Sequence, residues 1–331
     1  MRSTRRQALT GYLFASPWLL GFAIFMAYPL LASFYYSFCD YSVLHEPILI
    51  GARNYVDLVQ DEVFQTALQN TAYYALFAVL FGTVITISLA LLLNSKVRGM
   101  AVYRTLFYLP SLLPAVTAAV LWLWVLNGEH GVLNAGLRPL CDFVNPVAKY
   151  PLQLINLLLT PVSAILHLMH MRGIHVATQL SPPSWLSDTQ WTKPSLIVVS
   201  IWGAGNAVVI YLAGLQDVPM QLYEAADLDG ASWWSKTRNV TLPMLSPVIL
   251  FNVIMGIIGT LQVFTIPYIM FPDGTPARST YFYTEYLYDK AFRDLQMGYA
   301  CAMGWIMFVI ILALTLLALK LSERHVYYEG S

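Results

Sequence analysis

Charge is scarce in this sequence, because only 11% of its 331 residues are Asp, Glu, Lys or Arg. Soluble domains carry about 25% charged residues, so the composition argues against a water-soluble globular fold. The net charge of zero makes nucleic acid an unsuitable partner. The three cysteines, Cys39, Cys141 and Cys301, are too far apart to indicate a disulfide framework or a zinc site.

Motifs for nucleotide or acyl chemistry are also missing. There is no GxxxxGK[ST] phosphate-binding loop, so the chain does not bind ATP in that way. Neither a GxSxG nucleophile elbow nor an HExxH zinc motif occurs, which argues against an enzyme. The apolar runs are almost free of Asp, Glu, His and Arg, the residues that ion-coupled transporters usually keep inside the membrane.

What the sequence has instead is long apolar runs, in a composition that is 58% hydrophobic. A membrane-spanning helix needs about 20 apolar residues. Prolines interrupt several of the runs, which is tolerated where neighbouring helices satisfy the freed carbonyls. We therefore predict an all-α integral membrane protein with six spans, at Tyr12–Phe38, Thr66–Leu93, Thr105–Leu126, Ser195–Leu215, Pro247–Phe271 and Gly298–Leu319.

Lysine and arginine in the short connections predict the orientation of the spans. They are concentrated in the N-terminal tail, the loop after the second span and the C-terminal tail, at Arg2, Arg5, Arg6, Lys96, Arg98, Arg104, Lys320 and Arg324. This distribution places both termini in the cytoplasm. Arg278, Lys290 and Arg293 in the last outer loop are exceptions to the trend.

Residues 128–194 form a long connection, which we predict to be an extracytoplasmic insertion. Within it, Leu152–Met169 has a polar residue at every third or fourth position, which favours an amphipathic helix over a seventh span. A seventh span would also move the polar segment around Glu224 to the outside. His167, His170 and His175 suggest a metal site, but no acidic or thiol ligand accompanies them. The polar face of a helix is therefore the favoured interpretation.

The polar segment between the fourth and fifth spans carries charges of both signs. We predict a short helix over Pro219–Asp229, because proline suits a first turn and Gly230 can end a helix in the left-handed conformation. A second short helix is expected over Ser232–Val240. Leu242-Pro243 is then expected to turn the chain back into the membrane. A helical knob held at both ends by spans can transmit force from a soluble partner.

The spacing in this segment resembles the EAA signature of binding-protein-dependent ABC importer permeases. The matching residues are Glu224, Ala225, Ala226, Gly230, Val240, Leu242 and Pro243, with valine in place of the usual isoleucine. The runs Asp229–Ser232 and Phe14–Phe22 are similar to those of the sugar-permease branch. The resemblance covers most of the chain apart from Leu140–Leu180. It departs at Thr237, where family members often have an aromatic residue.

The resemblance implies the fold of a type I ABC importer permease in the bacterial inner membrane. It also implies partners: two ATP-binding subunits that hold ATP and Mg²⁺, a second and related permease subunit, an extracytoplasmic solute-binding protein and the lipid bilayer. This chain itself would carry no cofactor, no metal and no catalytic residue. The implied ATPase-coupling residues are Glu224, Ala225, Ala226, Asp229, Gly230, Ala231, Leu242 and Pro243.

Neutral polar residues inside the later spans are candidates for the substrate path. They are Asn206, Tyr211, Asn252, Thr260 and Gln262. Neutral hydrogen-bonding groups beside aromatic rings suit a polyhydroxylated substrate. For any single one of these residues, hydrogen bonding between helices, worth about 0.6 kcal/mol on average, is at least as good an explanation.

The family resemblance predicts a subunit of an ATP-driven importer that takes up a sugar or oligosaccharide by alternating access. Glycerol phosphate or another polar solute is an alternative substrate, and an ion-coupled secondary transporter is an alternative class. The predicted organisation is a cytoplasmic tail at 1–11, spans 1–3 at 12–127, the extracytoplasmic loop at 128–194, spans 4–6 at 195–320 with a coupling loop at 216–246, and a cytoplasmic tail at 321–331.

Overall fold

The computed structural model describes residues 2–95, 97–146 and 181–322. Helices make up most of these ranges, and one two-stranded hairpin is the sheet found within them. The predicted amphipathic helix Leu152–Met169 and the histidines His167, His170 and His175 lie outside the described residues. So does the tail from residue 323 onwards.

The elements are named here in chain order through the described ranges. The helices are α1 (Arg2–Phe22), α2 (Tyr28–Tyr36), α3 (Arg53–Gln60), α4 (Glu62–Leu93), α5 (Met100–Tyr108), α6 (Ala115–Val125), α7 (132–146), α8 (Thr192–Trp202), α9 (Gly205–Gln216), α10 (Met220–Leu228), α11 (Trp233–Lys236), α12 (Leu242–Leu261), α13 (Thr265–Met270), α14 (Tyr283–Tyr288) and α15 (Met297–Ser322). The strands β1 (Cys39–Ser42) and β2 (His45–Leu49) pair antiparallel.

The helices of the described ranges account for the predicted number of spans. Four are each long and apolar enough to cross a membrane, namely Thr10–Tyr36, Glu62–Leu93, Trp233–Met270 and Met297–Ser322. Two bent pairs also qualify if each counts as one span, namely Met100–Leu112 with Ala115–Val125 and Thr192–Trp202 with Gly205–Gln216. The count is then six, and each span overlaps one of the apolar runs predicted from the sequence.

The bends in the third and fourth spans have local causes. In the third span the two helices meet at 104°, where Leu113 and Pro114 have extended ψ angles of 135° and 140°. The residue before a proline is disfavoured in the helical region, so the helix is interrupted there. The fourth span bends by 47° between α8 and α9, next to Gly203, and glycine is a poor helix former.

The chain divides into two compact units, and the first has its described residues within 1–79, 217–264 and 281–331. Its core joins the start of α4, the end of α12, α14 and the first half of α15. The buried members are Leu58, Phe64, Ala67, Ala75, Leu261, Tyr281, Tyr283, Tyr286, Ala302, Met303 and Met307. Full burial of one large apolar side chain contributes about 1.5–3 kcal/mol, so this cluster is the main stabilising feature of that end of the unit.

Asp61 ties three elements together beside this core. Its Oδ1 accepts the backbone N–H groups of Val63 at 2.8 Å and Phe64 at 3.3 Å, which caps the first turn of α4. Its Oδ2 accepts the hydroxyl of Tyr299 at 2.7 Å and also the hydroxyl of Tyr286. One carboxylate therefore holds the start of α4 to α14 and α15.

Replacement of Asp61 should make the protein less stable and change its acid sensitivity. Burial opposes ionisation of Asp61, but hydrogen bonds from Tyr286, Tyr299 and two backbone N–H groups hold the pKa of its carboxyl below the ordinary value. Such a carboxyl adds stability that is present above its unfolded pKa of about 3.9 and is lost as pH falls through the folded pKa. We expect Asp61→Asn to lower the free energy of unfolding at neutral pH by about 2 kcal/mol.

Thermal unfolding in detergent between about pH 3 and pH 7 measures this effect. The variant should lack the part of the pH dependence of stability that comes from protonation of Asp61. Asp57→Asn is the matched control. The Asp57 carboxylate is half exposed and lies 3.7 Å from Arg53, and exposed ion pairs of this kind contribute little. Equal destabilisation by the two substitutions would contradict the assigned role of Asp61.

The second unit has its described residues within 80–216 and 265–280. In it, α13 packs against α6, and α5 packs against α9. The latter contact is close, since a Cβ atom at Gly205 would lie 2.9 Å from the carbonyl oxygen of Phe107. The Arg104 guanidinium donates from Nε and Nη2 to the carbonyl of Leu93, at 3.1 and 2.9 Å. It thereby caps the C-terminus of α4, where carbonyls lack helical partners.

Candidate functional site

The polar segment after the fourth span folds as a helix with a glycine stop, as the sequence predicts. Helix α10 begins after Pro219, whose extended conformation makes it the N-cap residue. Gly230 has a φ of 72°. The N–H of Ala231 reaches the carbonyl of Ala226 at 2.9 Å, and the N–H of Gly230 reaches that of Asp227 at 3.1 Å. This is the hydrogen-bond pattern of a left-handed helix end.

Two side-chain contacts brace this segment into one piece. The Lys236 ammonium of α11 lies 2.6 Å from the Asp227 carboxylate of α10. The hydroxyl of Tyr223 lies 3.0 Å from that of Thr241, beyond α11. In addition, the Ser232 hydroxyl caps α11 by accepting the N–H of Ser235 at 3.3 Å. The helix α10 is therefore held against the start of the following span.

The prediction that Leu242-Pro243 turns the chain is wrong. The second helix does not stop at Val240, because the chain is helical without a break from Trp233 to Leu261. A π-helical turn at Thr237–Thr241 joins α11 to α12, and the N–H of Leu242 bonds to the carbonyl of Thr237, five residues back. Proline lacks an N–H and clashes with the carbonyl four residues earlier. The wider turn accommodates Pro243, and the helix continues through it.

Several large apolar side chains are exposed on this segment, and three of them stand out. Leu228 is 90% exposed, Trp233 66% and Trp234 62%. Glu224 and Ala225 of the EAA signature are exposed as well. Large apolar groups in a charged and exposed segment mark an interaction surface. The motif spacing did not single out the two tryptophans, although tryptophan in a polar loop is a signal that sequence reading could have used.

Thr237, where the family resemblance predicts an aromatic residue, is buried beneath this exposed surface. Its side chain is buried, and its hydroxyl donates to the carbonyl of Trp233 at 2.9 Å. The residue therefore takes part in the internal packing of the π-helical turn. Threonine in place of an aromatic residue therefore affects the buried side of this segment, whereas Trp233 and Trp234 are exposed.

The three substrate-path candidates of the fifth span all lie on or next to α12. Asn252 Nδ2 donates to the carbonyl of Val248 at 2.9 Å, and the Thr260 hydroxyl donates to that of Gly256 at 2.7 Å. Both bonds stay within the helix, so they satisfy the side chains without a ligand. Gln262 is exposed at the C-terminal end of α12. Their role in a substrate path stays a prediction.

The two candidates of the fourth span belong to the second unit, on α9. Tyr211 is fully buried, and its hydroxyl has no hydrogen-bond partner among the described residues. Asn206 is exposed, five residues earlier on the same helix. A shift of five residues places them on different faces. Their assignment to a substrate path also stays a prediction.

A polar cleft lies at the end of the first unit where the chain leaves α2 and enters α15. We define the polar cleft by Cys39, Asp40, Tyr41, Ile50, Arg53, Asn54, Asp57, Gln296 and Tyr299, which enclose about 320 Å³. No sequence pattern predicted it. Its residues come from β1, α3 and the start of α15, and each segment alone looks like an ordinary connection.

The basic residues that break the charge trend near this end are largely paired. Lys290 Nζ lies 2.9 Å from the carboxylate of Asp294, and Arg293 Nε lies 3.2 Å from that of Asp289. The Lys290 ammonium also lies over the Tyr299 ring, 5.6 Å from its centroid. These charges therefore have a local structural role. This role explains why basic residues occur in a loop that is predicted to lie outside the membrane, where few are expected.

Comparison with known proteins identifies the family. The chain belongs to the binding-protein-dependent transport system inner membrane components, a family whose pattern matches residues 78–326. The predicted family is therefore confirmed. A member of this family is the inner membrane component of a transport system.

Two relatives match over nearly the whole chain. The probable ABC transporter permease protein YesP of Bacillus subtilis (strain 168) is 36% identical over 99% of this chain and 95% of its own length. The arabinooligosaccharides transport system permease protein AraP of the same organism is 28% identical, over 94% of this chain and 88% of its own length.

A solved structure supports the fold. A chain from the crystal structure of a bacterial alginate ABC transporter, in complex with an alginate pentasaccharide-bound periplasmic protein, matches with a TM-score of 0.74. The match covers 98% of this chain and 96% of that one at 24% sequence identity. The predicted all-α fold of an ABC importer permease is thus confirmed.

Proposed function

We propose that this chain is the transmembrane subunit of an ATP-driven importer for a carbohydrate, which a solute-binding protein delivers. The observation that carries the proposal is the braced segment from Pro219 to Pro243. It presents Glu224 and Ala225 of the EAA signature on an exposed helix, and side-chain contacts hold this helix against the base of the span that begins at α11. A rigid and exposed element of this kind suits the transfer of motion between a soluble subunit and the membrane.

The partners follow from the same segment. The exposed α10 and the tryptophans of α11 form a surface for an ATP-binding subunit, and two such subunits with ATP and Mg²⁺ would drive the cycle. One chain with six spans does not enclose a path, so a second, related permease subunit completes it. The coupling residues proposed are Glu224, Ala225, Ala226, Asp229, Gly230, Ala231, Leu242 and Pro243.

The mechanism proposed is alternating access. Closure of the ATP-binding subunits moves α10 and, through the Asp227–Lys236 contact at 2.6 Å, the base of the span that begins at α11. The spans then open towards the solute-binding protein. Hydrolysis of ATP returns them to the inward-open state. The contact between Tyr223 and Thr241 at 3.0 Å makes α10 and the span base move together.

The orientation proposed places both termini and the segment 216–246 in the cytoplasm of a bacterial inner membrane. The organisation is then spans 1–3 within 12–127, an extracytoplasmic loop at 128–194 and spans 4–6 within 195–320. Basic residues in the loop after the second span and in the two tails support this orientation. It brings the EAA segment to the side where ATP is found.

Carbohydrate is the substrate class that the relatives favour. One relative is named for arabinooligosaccharides, and the solved structure with the same fold is that of an alginate transporter. The spans carry almost no Asp, Glu, His or Arg, which suits a substrate that needs no ion coupling. Glycerol phosphate is the alternative substrate, and the uptake experiment distinguishes it from a carbohydrate.

Uptake by reconstituted vesicles tests this function. The chain is co-expressed and purified with its permease and ATP-binding partner subunits, reconstituted into proteoliposomes, and supplied with the solute-binding protein and radiolabelled arabinotriose. We expect accumulation that requires both internal ATP and the binding protein. Accumulation driven by a proton or sodium gradient without ATP would overturn the proposal, and ATP-dependent uptake of glycerol phosphate alone would overturn the carbohydrate assignment.

A further inference from the structure

We propose that the polar cleft is a recognition site for a neutral oligosaccharide, on the side of the membrane opposite to the EAA segment. This inference rests on the proposed import of carbohydrate and deepens it. It names a site outside the spans and selects neutral over acidic sugars. Six lining residues carry the proposal, namely Asp40, Tyr41, Arg53, Asp57, Gln296 and Tyr299.

The position of the polar cleft follows from the course of α12. The EAA segment leads into the N-terminus of α12, and Leu261 at its C-terminus belongs to the buried cluster that also holds Tyr283 and Tyr286. Tyr299, which lines the polar cleft, packs against that same cluster. Twenty residues of helix span about 30 Å. The polar cleft and the EAA segment therefore lie at opposite ends of the first unit.

The frame of the polar cleft is rigid before any ligand arrives. Asn54 Nδ2 donates to the carbonyls of Ser37 and Cys39, both at 2.9 Å, which holds α3 against β1. Gly298 lets α15 approach the carbonyl of Cys39 so closely that a Cβ atom would overlap it. Tyr299 is fixed by its hydroxyl bond to Asp61 at 2.7 Å. A preformed site avoids the entropic cost of ordering on binding.

The chemistry of the lining suits a sugar. The carboxylates of Asp40 and Asp57 accept hydrogen bonds from hydroxyl groups, and the exposed Gln296 amide both donates and accepts. Tyr36 stacks on the Tyr41 ring with the centroids 4.3 Å apart, and the Lys290 ammonium lies over the Tyr299 ring at 5.6 Å. The parts of these two rings that line the polar cleft offer apolar surface for the C–H face of a pyranose or furanose. A volume of about 320 Å³ is at the lower end of the range for small-molecule sites, so it suits one or two sugar units.

The charge of the lining selects against acidic sugars. Two carboxylates, those of Asp40 and Asp57, line the polar cleft beside one guanidinium, that of Arg53, which lies 3.7 Å from Asp57. Nearby Lys290 is paired with Asp294 at 2.9 Å. The local field is therefore negative. A uronate would add a like charge and be repelled, whereas a neutral oligosaccharide would keep every hydrogen bond.

Direct binding to the assembled transporter in lipid nanodiscs tests the inference, with no solute-binding protein present. The probes are arabinotriose as the neutral sugar and an alginate trisaccharide as the acidic one, followed by saturation-transfer difference NMR. We expect binding of the neutral probe alone. The substitutions Asp57→Asn and Gln296→Ala should each weaken binding of arabinotriose by about tenfold. The first removes a charged hydrogen-bond acceptor, and the second removes an amide that both donates and accepts.

Glu46→Gln is the matched control, because it removes an exposed carboxylate of β2 that does not line the polar cleft. It should leave binding unchanged. Equal binding of both probes, or a neutral signal unaffected by Asp57→Asn and Gln296→Ala, would overturn the inference while ATP-dependent uptake of arabinotriose still supports the proposed function. Weaker association of the solute-binding protein in these variants, with unchanged sugar binding, would also overturn it in favour of a protein contact.

Discussion

Replacement of Gly298 by alanine is expected to lower the free energy of unfolding by about 3 kcal/mol, the upper part of the usual range for overpacking. A Cβ atom at this position would overlap the carbonyl oxygen of Cys39 and lie 3.1 Å from that of Tyr36. Both are backbone atoms, so no flexible side chain can move aside. The start of α15 would have to shift from the end of α2 and from β1.

Thermal unfolding of the purified protein in detergent, monitored by size-exclusion chromatography, measures the loss. Gly304→Ala is the matched control on the same helix, because a Cβ atom there meets no atom within 4 Å. It should be neutral or slightly stabilising, since alanine is the better helix former. If Gly298→Ala unfolds at the same temperature as Gly304→Ala, the close contact with β1 is not present.

Replacement of Gly230 by valine is expected to reduce ATP-dependent uptake by at least about tenfold, which corresponds to about 1.4 kcal/mol. Gly230 has a φ of 72°, and the left-handed conformation costs an ordinary residue about 1–2 kcal/mol. A β-branched residue tolerates it less well. The end of α10 would unwind, and the exposed surface next to Trp233 and Trp234 would be displaced. Uptake and co-purification of the ATP-binding subunit are measured together.

Two further variants distinguish backbone strain at Gly230 from backbone strain elsewhere in the chain. Gly230→Asn should retain most of the uptake, because asparagine tolerates the left-handed region. Gly51→Val introduces similar strain at a φ of 64° in the connection after β2, far along the chain from the EAA segment. It should leave co-purification of the ATP-binding subunit normal. Normal uptake and co-purification in Gly230→Val would refute the coupling role.

The features that the sequence predicted correctly depend on residues close together in the chain. The helix α10 with its stop at Gly230 is one example, since a helix end needs only a capping residue and a residue that allows positive φ. The six apolar runs are another, because the thickness of a membrane alone dictates their length. Neither feature requires knowledge of what packs against it.

The predicted turn at Leu242-Pro243 does not form, because a π-helical turn before the proline removes the clash that would otherwise interrupt the helix. Proline usually interrupts a helix, and the sequence offers no sign that a π-helical turn will absorb it. The turn at Thr237–Thr241 forms where Thr237 and Thr241 are buried and Thr241 meets Tyr223. Packing of the preceding helix therefore decides whether the chain turns or continues.

The Asp61 network and the polar cleft were invisible in the sequence for a different reason. Asp61 meets Tyr286 and Tyr299 across 225 and 238 positions of the chain. The polar cleft joins β1 and α3 to the start of α15 in the same way. No periodicity or spacing links such residues. Only the packing of α15 against α2, α3 and β1 brings them together.

The sequence by itself determined that this protein belongs in a membrane, that it has apolar segments for up to six spans and that it carries a segment resembling the EAA signature. Scarce charge, apolar length and motif spacing are sufficient for these conclusions, because each depends on solvent or on local backbone chemistry. The tertiary structure alone decided how α10 is braced, that the helix runs on through Pro243, and that a polar cleft exists at the opposite end of the first unit. Those features depend on contacts between distant parts of the chain, which composition and spacing do not encode.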